Sequence, residues 1–142
     1  MGSQVNRFRI LVRLSAWGEA ELIVFRGGDV MESKQDVRDP YERISAETAK
    51  QMIERGGVVV VDVREPVEWT QGHIPDAIHI PLGTLLNRPR ELLQQDHIIF
   101  VCAEGARSAV ACEVAAAIGR KQLYNLEGGT IAWGKQGYPL AR

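Results

Sequence analysis

Charge of neither sign dominates this sequence: 17 Lys and Arg stand against 18 Asp and Glu, a formal net of −1. With no basic cluster, and with aromatics at only 6%, the chain lacks the electrostatic footprint and the stacking surfaces that nucleic-acid binding requires. Long hydrophobic runs are missing as well; the apolar stretches are of strand length, which argues against a membrane span. Arg7, Arg9 and Arg13 are followed by no signal-peptide core, so secretion is not indicated and a cytoplasmic location is expected. Met1-Gly2-Ser3 reads as an expression remnant, which leaves the natural start open. Internal repeats and low-complexity tracts are absent. The 142 residues suffice for one substantial core and are too few for two.

Cysteine is scarce, and the two that occur are badly spaced for a disulfide. Cys112 lies ten residues after Cys102. A helix from about Arg107 would rise by roughly 1.5 Å per residue and hold the sulfurs apart, so Cys112 reads as a packed helix residue. His73, His79 and His97 have no paired spacing with the cysteines, and neither a metal site nor a cofactor is expected.

Against these absences one segment stands out. Ile98 to Val101 is an apolar run of strand length that ends on Cys102, passes through the short loop to Ser108, and enters the alanine-rich segment from Ala109 to Ile118. A thiol is thereby set at a helix N-terminus, where unpaired N–H groups and the helix dipole favour thiolate over thiol. A free cysteine in such a place is often just a small buried hydrophobe. Arg107 argues for more, because a cation in the first helical turn opposes the dipole unless an anion occupies the loop. Gly105 is expected to supply a dihedral that other residues resist.

The rest of the chain alternates. Ser45 caps a predicted helix to about Arg55 with an apolar stripe of Ala46, Ala49, Met52 and Ile53, closed by Gly56-Gly57. Val58 to Val61 is a β-branched run without alternation, the mark of a strand buried on both faces, with Asp62 at its C-terminal edge. A short helix over 65–71 with Trp69 packed, a strand over 77–80, a helix over 85–94 constrained by Pro89, a strand over 97–101, a strand over 122–126 and a helix over 130–136 anchored by Trp133 follow. Such alternation predicts an α/β fold with a mainly parallel central sheet and helices on both faces. Ligands bind such sheets beyond the C-terminal strand ends, where Cys102 falls.

The loop Cys102 to Ser108 resembles the active-site loop of the rhodanese family of sulfurtransferases. Val61-Asp62-Val63-Arg64-Glu65 with Gly72-His73-Ile74-Pro75-Asp76-Ala77-Ile78-His79-Ile80-Pro81 is similar to that family's first signature, and Glu127-Gly128-Gly129-Thr130-Ile131-Ala132-Trp133 with Gly137-Tyr138-Pro139 to its second. The resemblance runs from about Ile44 to Leu140. It implies a rhodanese-like domain over 44–142 in which Cys102 carries a sulfane sulfur as a persulfide and Ala103, Glu104, Gly105, Ala106, Arg107 and Ser108 form the sulfur and anion cradle. Ser108 would cap the following helix or donate to the sulfur. Asp62, Arg64 and His73 are expected to support the loop through an ion pair and hydrogen bonds. The donor would be thiosulfate or, more in keeping with Ala103 in place of the family's frequent basic residue and with Glu104 on the rim, a persulfide. The acceptor would be a thiol, cyanide or a protein.

Only four residues separate Cys102 from Arg107, one fewer than in the related cysteine phosphatases, so phosphatase or arsenate-reductase chemistry is a distant alternative. A non-catalytic rhodanese-like binding or regulatory module is the other. Residues 1–43 form an N-terminal extension, with strands expected over 8–14 and 21–25, Trp17-Gly18 between them, and a polar linker over 27–41.

Overall fold

The computed structural model describes residues 8–15, 18–24, 30–33 and 39–142. Met1-Gly2-Ser3, Arg7, Trp17 and Phe25 lie outside the described residues. The chain forms two compact units, Met1–Asp39 and Pro40–Arg142. In the first, strands β1 (Phe8–Ser15), β2 (Gly18–Val24) and β3 (Val30–Ser33) make an antiparallel sheet in that order. The two expected strands are thus joined by a third, Val30–Ser33, inside the stretch read as a polar linker. Its pairing with β2 supplies the backbone partners that a four-residue strand of mixed polarity could not announce on its own.

The second unit begins with β4 (Glu42–Ile44) and α1 (Ala46–Arg55). Ser45 caps α1, its hydroxyl oxygen accepting the Thr48 N–H at 3.1 Å, and Gly56 closes it with φ 79°. Then follow β5 (Val59–Asp62), α2 (Pro66–Thr70), β6 (Ile78–His79), α3 (Leu82–Asn87), α4 (Pro89–Leu92), β7 (Ile98–Val101), α5 (Ala106–Ala117), β8 (Leu123–Leu126) and α6 (Gly129–Lys135). The five strands β4-β8-β7-β5-β6 form a sheet whose neighbours are all parallel, as the alternation predicts. The single helix expected over 85–94 is two: the backbone leaves helical geometry at Arg88, φ −138° and ψ 55°, as the residue before a proline tends to.

Strand residues alternate between two cores. Val61, Ile98, Phe100 and Cys102 face α3 and α5, packing with Leu85, Ala111, Cys112 and Ala115. Val60, Ile99 and Val101 face α1 and α6, packing with Ala46, Ala49 and Trp133. On α5 the buried positions Ser108, Ala111, Cys112 and Ala115 recur at helical spacing and are all small, so the helix can lie close over the sheet. No helix among the described residues is long and apolar enough to cross a membrane.

Beneath the C-terminal strand ends sits a buried ion pair. Asp62 is fully buried and Arg64 nearly so; the guanidinium donates Nε to both carboxylate oxygens at 3.0 Å and Nη2 to Oδ2 at 2.8 Å. The same Nη2 donates to the Gly72 carbonyl at 2.7 Å and Nη1 to that of Glu68 at 3.3 Å, tying α2 and the turn after it to the end of β5. Arg64→Met would leave the Asp62 carboxylate buried with one backbone donor. It is expected to cost about 3–5 kcal/mol, read as a lower urea midpoint with an unchanged slope.

Candidate active site

The sheet delivers Cys102 to the mouth of the fold. Val101 ends β7, and the chain turns through Cys102 to Gly105 before α5 starts at Ala106. Gly105 takes φ 115°, a left-handed conformation, and so aims its N–H back at the Cys102 Sγ, 3.0 Å away. On the other side of the sulfur the Ser108 hydroxyl lies at 3.3 Å. Ser108 therefore does not cap α5, as the sequence had allowed; it is the third residue of the helix, fully buried, and faces the sulfur. Burial pushes the Cys102 thiol up, but the Ser108 hydroxyl and the N–H groups of Ser108, Gly105 and Glu104 outweigh it and hold the thiol below its ordinary value. Cys112, also free, is pushed far up by burial and by its neighbours Glu113 and Cys102.

The loop can point N–H groups inward only if its carbonyls are taken elsewhere. The N-terminus of α6 takes two of them: Thr130 N–H donates to the Cys102 carbonyl at 2.8 Å and Ile131 N–H to that of Ala103 at 3.2 Å. This close seam explains Gly129. A β-carbon there would stand 2.2 Å from the Cys102 oxygen and 2.4 Å from the Ala103 carbonyl carbon and oxygen. The carbonyl of Gly105 accepts the Ala109 N–H at 3.2 Å within α5 and Asn125 Nδ2 at 3.0 Å from β8.

Arg107 stands elsewhere than the sequence suggested. Its guanidinium does not wait for an anion in the loop; it forks onto the Glu68 carboxylate of α2, Nη1 to Oε1 at 2.7 Å and Nη2 to Oε2 at 2.9 Å. The anion that offsets its unfavourable place against the dipole is part of the protein. Arg107 holds the Glu68 carboxyl down to about 2, and Glu68 in return keeps the guanidinium firmly charged. Glu104 is exposed on the loop, Ala106 is exposed at the start of α5, and Ala103 is half-buried.

Of the expected supports, Asp62 and Arg64 form the buried pair described above. His73 is linked to α2: its Nδ1 is 3.0 Å from the Trp69 carbonyl and its ring stacks on Trp69, centroids 3.5 Å apart. His79 stacks on Trp69 at 4.7 Å, with Nε2 2.7 Å from the Arg64 carbonyl. Neither ring is hydrogen-bonded to Cys102. The residues that sequence reasoning missed are Glu68 and Asn125. Glu68 carried one signal, its place three residues after Glu65 at a helix start, where the two side chains form a reciprocal cap. Asn125 carried one too, as a polar residue in an otherwise apolar buried strand.

Among the described residues no group of three His, Cys, Asp or Glu could hold a metal. A groove of about 510 Å³, lined by residues of β5, β6, β7 and the segment 91–95, touches none of the loop residues. What the loop offers is a lowered thiol, nearly inaccessible at 1% exposure, ringed by hydrogen-bond donors.

Comparison with known proteins places this geometry. The family profile for the rhodanese-like domain matches residues 45–136. A protein named sulfurtransferase from Allochromatium vinosum is 34% identical over 96 residues, 68% of this chain and 90% of that one. The crystal structure of a rhodanese-related protein from Thermoplasma volcanium aligns with a TM-score of 0.64 at 34% identity, over 71% of this chain and 98% of that one. A structure from Rhodopseudomonas palustris, described as a protein of unknown function and possible tyrosine phosphatase, aligns with a TM-score of 0.64 at 32% identity, over 71% of this chain and 85% of that one. Two longer curated relatives are spanned by the chain over 49% and 55% of their length.

Since the Glu68 carboxyl is depressed from 4.5 to about 2, its contribution to stability is whole above pH 4.5 and is lost as the pH falls toward 2. Glu68→Gln is expected to destabilise the fold at pH 7 by roughly 1 kcal/mol, a value suited to a partly exposed pair. The difference from wild type should vanish near pH 2 in an acid-unfolding series.

Proposed function

Because this chain is a member of the rhodanese-like domain family, we propose that it is a sulfurtransferase that moves one sulfane sulfur through a persulfide on Cys102. The observation that carries this reading is the lowered, donor-ringed sulfur: the Gly105 N–H at 3.0 Å and the Ser108 hydroxyl at 3.3 Å converge on Sγ. A thiolate held there attacks the outer sulfur of a donor R–S–S⁻. The new Sγ–S bond forms as the R–S bond breaks, and the donor leaves as a thiolate with the electron pair. An acceptor nucleophile then takes the outer sulfur and returns Cys102 to thiolate. In between, negative charge sits on the outer sulfur, where inward N–H groups are the stabilising partners.

Charge at the mouth favours a persulfide donor over thiosulfate. Arg107 is neutralised by Glu68, and Glu104 adds a negative charge on the rim. A dianion therefore meets no uncompensated cation on this loop, whereas a singly charged persulfide meets less repulsion. The acceptor in this reading is a thiol or a protein, with cyanide serving in the test tube. A resting free thiol suits a reducing, cytoplasmic setting.

Phosphate-ester hydrolysis is the second reading, raised by the relative described as a possible tyrosine phosphatase. Two features count against it here. The loop has four residues between Cys102 and Arg107, and the guanidinium that would hold a phosphate is forked onto Glu68. A binding module without turnover is the third, and it gives no reason to lower the thiol.

Intact mass after incubation with a small persulfide is expected to show one added sulfur, removed by cyanide with release of thiocyanate, and none in Cys102→Ser. Absence of the adduct with every donor, or hydrolysis of a phenyl phosphate ester instead, would overturn the reading. Glu104→Ala should raise turnover with thiosulfate several-fold at low salt and leave persulfide turnover nearly unchanged. Efficient thiosulfate turnover unaffected by that change would refute the donor assignment.

A further inference from the structure

Two of the four buried polar side chains among the described residues, Ser108 and Asn125, stand behind the reactive sulfur and away from its mouth. Their geometry fixes who donates to whom. The Gly105 carbonyl can only accept, so the Asn125 amide turns Nδ2 toward it, at 3.0 Å, and Oδ1 toward Ser108. Oδ1 also can only accept, so across the 2.5 Å between them it is the Ser108 hydroxyl that donates. The same hydroxyl oxygen lies 3.3 Å from the Cys102 Sγ. Ser108 has one proton and two acceptors for it.

We propose that Asn125 is a positioning residue that competes with the Cys102 sulfur for the single hydroxyl proton of Ser108, so that the proton changes sides with the charge on that sulfur. When Sγ is an empty thiolate, the hydroxyl turns to it and Asn125 Oδ1 gives up its donor. When Sγ is protonated, its S–H donates to the Ser108 oxygen and the hydroxyl donates onward to Asn125. When Sγ carries an outer sulfur it is a neutral, disulfide-like atom, and the proton again belongs to Asn125. No covalent bond changes; one O–H rotates. The amide makes this rotation available without moving the loop, because its Nδ2 keeps Gly105 and hence the Gly105 N–H aimed at the sulfur throughout. The loaded-state part rests on the persulfide reading above, whereas the competition itself concerns the empty protein.

The arrangement differs in sign from a simple supporting role. A residue that only braces the loop would, on removal, misalign the Gly105 N–H and push the Cys102 thiol up. A residue that competes for the proton would, on removal, leave Ser108 to the sulfur alone and bring the thiol down relative to the same removal made without Ser108, while the Gly105 carbonyl keeps the Ala109 N–H at 3.2 Å. Other charged or titratable groups around Cys102 are Glu104 on the loop, Arg107 with its partner Glu68, and Cys112 on α5. These groups are unchanged by substitution of Asn125 or Ser108.

The test is the pH dependence of the Cys102 alkylation rate in the full chain without any sulfur donor, the adduct being located by peptide mass, with circular dichroism to confirm the fold. Asn125→Ala is expected to move the midpoint down by ~0.5 pH unit or more, and Ser108→Ala to move it up. In the Ser108→Ala background, Asn125→Ala should bring no downward move. The same move in Asn125→Ala with and without Ser108, or a more upward one with Ser108 present, would overturn the proposal. Asn125→Val, whose β-branched side chain suits β8, gives the same readout if the alanine variant does not fold. Because no sulfur donor is used, a downward move in a protein that transfers no sulfur would leave the proton competition standing and reject only the sulfurtransferase reading.

Discussion

A loop can turn its N–H groups toward a sulfur only if its carbonyls find partners outside, and most of this site follows from that constraint. Peptide groups are dipoles with two ends, and both must be satisfied when buried. The carbonyls of Cys102 and Ala103 go to the first N–H groups of α6, and that of Gly105 goes to Asn125 on β8. The helix N-terminus that faces the loop from behind thus uses donors that lack intrahelical partners. Each helix end supplies what the other segment lacks. Gly129 is glycine because the two backbones approach too closely for any side chain, and the φ of +58° there reinforces the choice.

Charge at this end of the sheet is handled by pairing, at two depths. Asp62 and Arg64 are removed from solvent together and bind the turn after α2 to the strand end. Glu68 and Arg107, half-exposed, bind the same helix to the start of α5. The short helix α2, only five residues long, could not hold its position by its own hydrogen bonds. It is held by two guanidinium groups and by the stack of His73 and His79 on Trp69. The rim of the loop is left with Glu104 as its exposed charge.

What could be read from the sequence was what depends on neighbours in the chain. The parallel sheet, the position of Cys102 at a strand end, the left-handed Gly105 and the Ser45 cap each rest on residues a few positions apart. Contacts between distant residues were not legible. Arg107 and Glu68 are 39 positions apart and Ser108 and Asn125 are 17, and nothing in either local pattern names its partner. The same limit explains why Arg107 suggested a bound anion: the argument that it needed a negative charge was sound, but the charge came from a helix whose packing no local rule supplies. Strand β3 was missed because its four residues gain their order from pairing with β2, and the helix over 85–94 was drawn through Arg88 because a single residue before proline decides a boundary that composition blurs.

The seam between the loop and α6 also separates what can vary from what cannot. Backbone groups and the Ser108 hydroxyl build the recess around the sulfur, and at Gly129 the seam behind it leaves no room for a β-carbon. The side chains of Ala103 and Glu104 project from that backbone without taking part in it. On the proposed reading, exchange of those two residues would retune which molecules approach the sulfur while the recess keeps its shape, making donor choice and thiol chemistry separately adjustable. For protein engineering, the same reading would make the rim an interchangeable reading head mounted on a fixed centre.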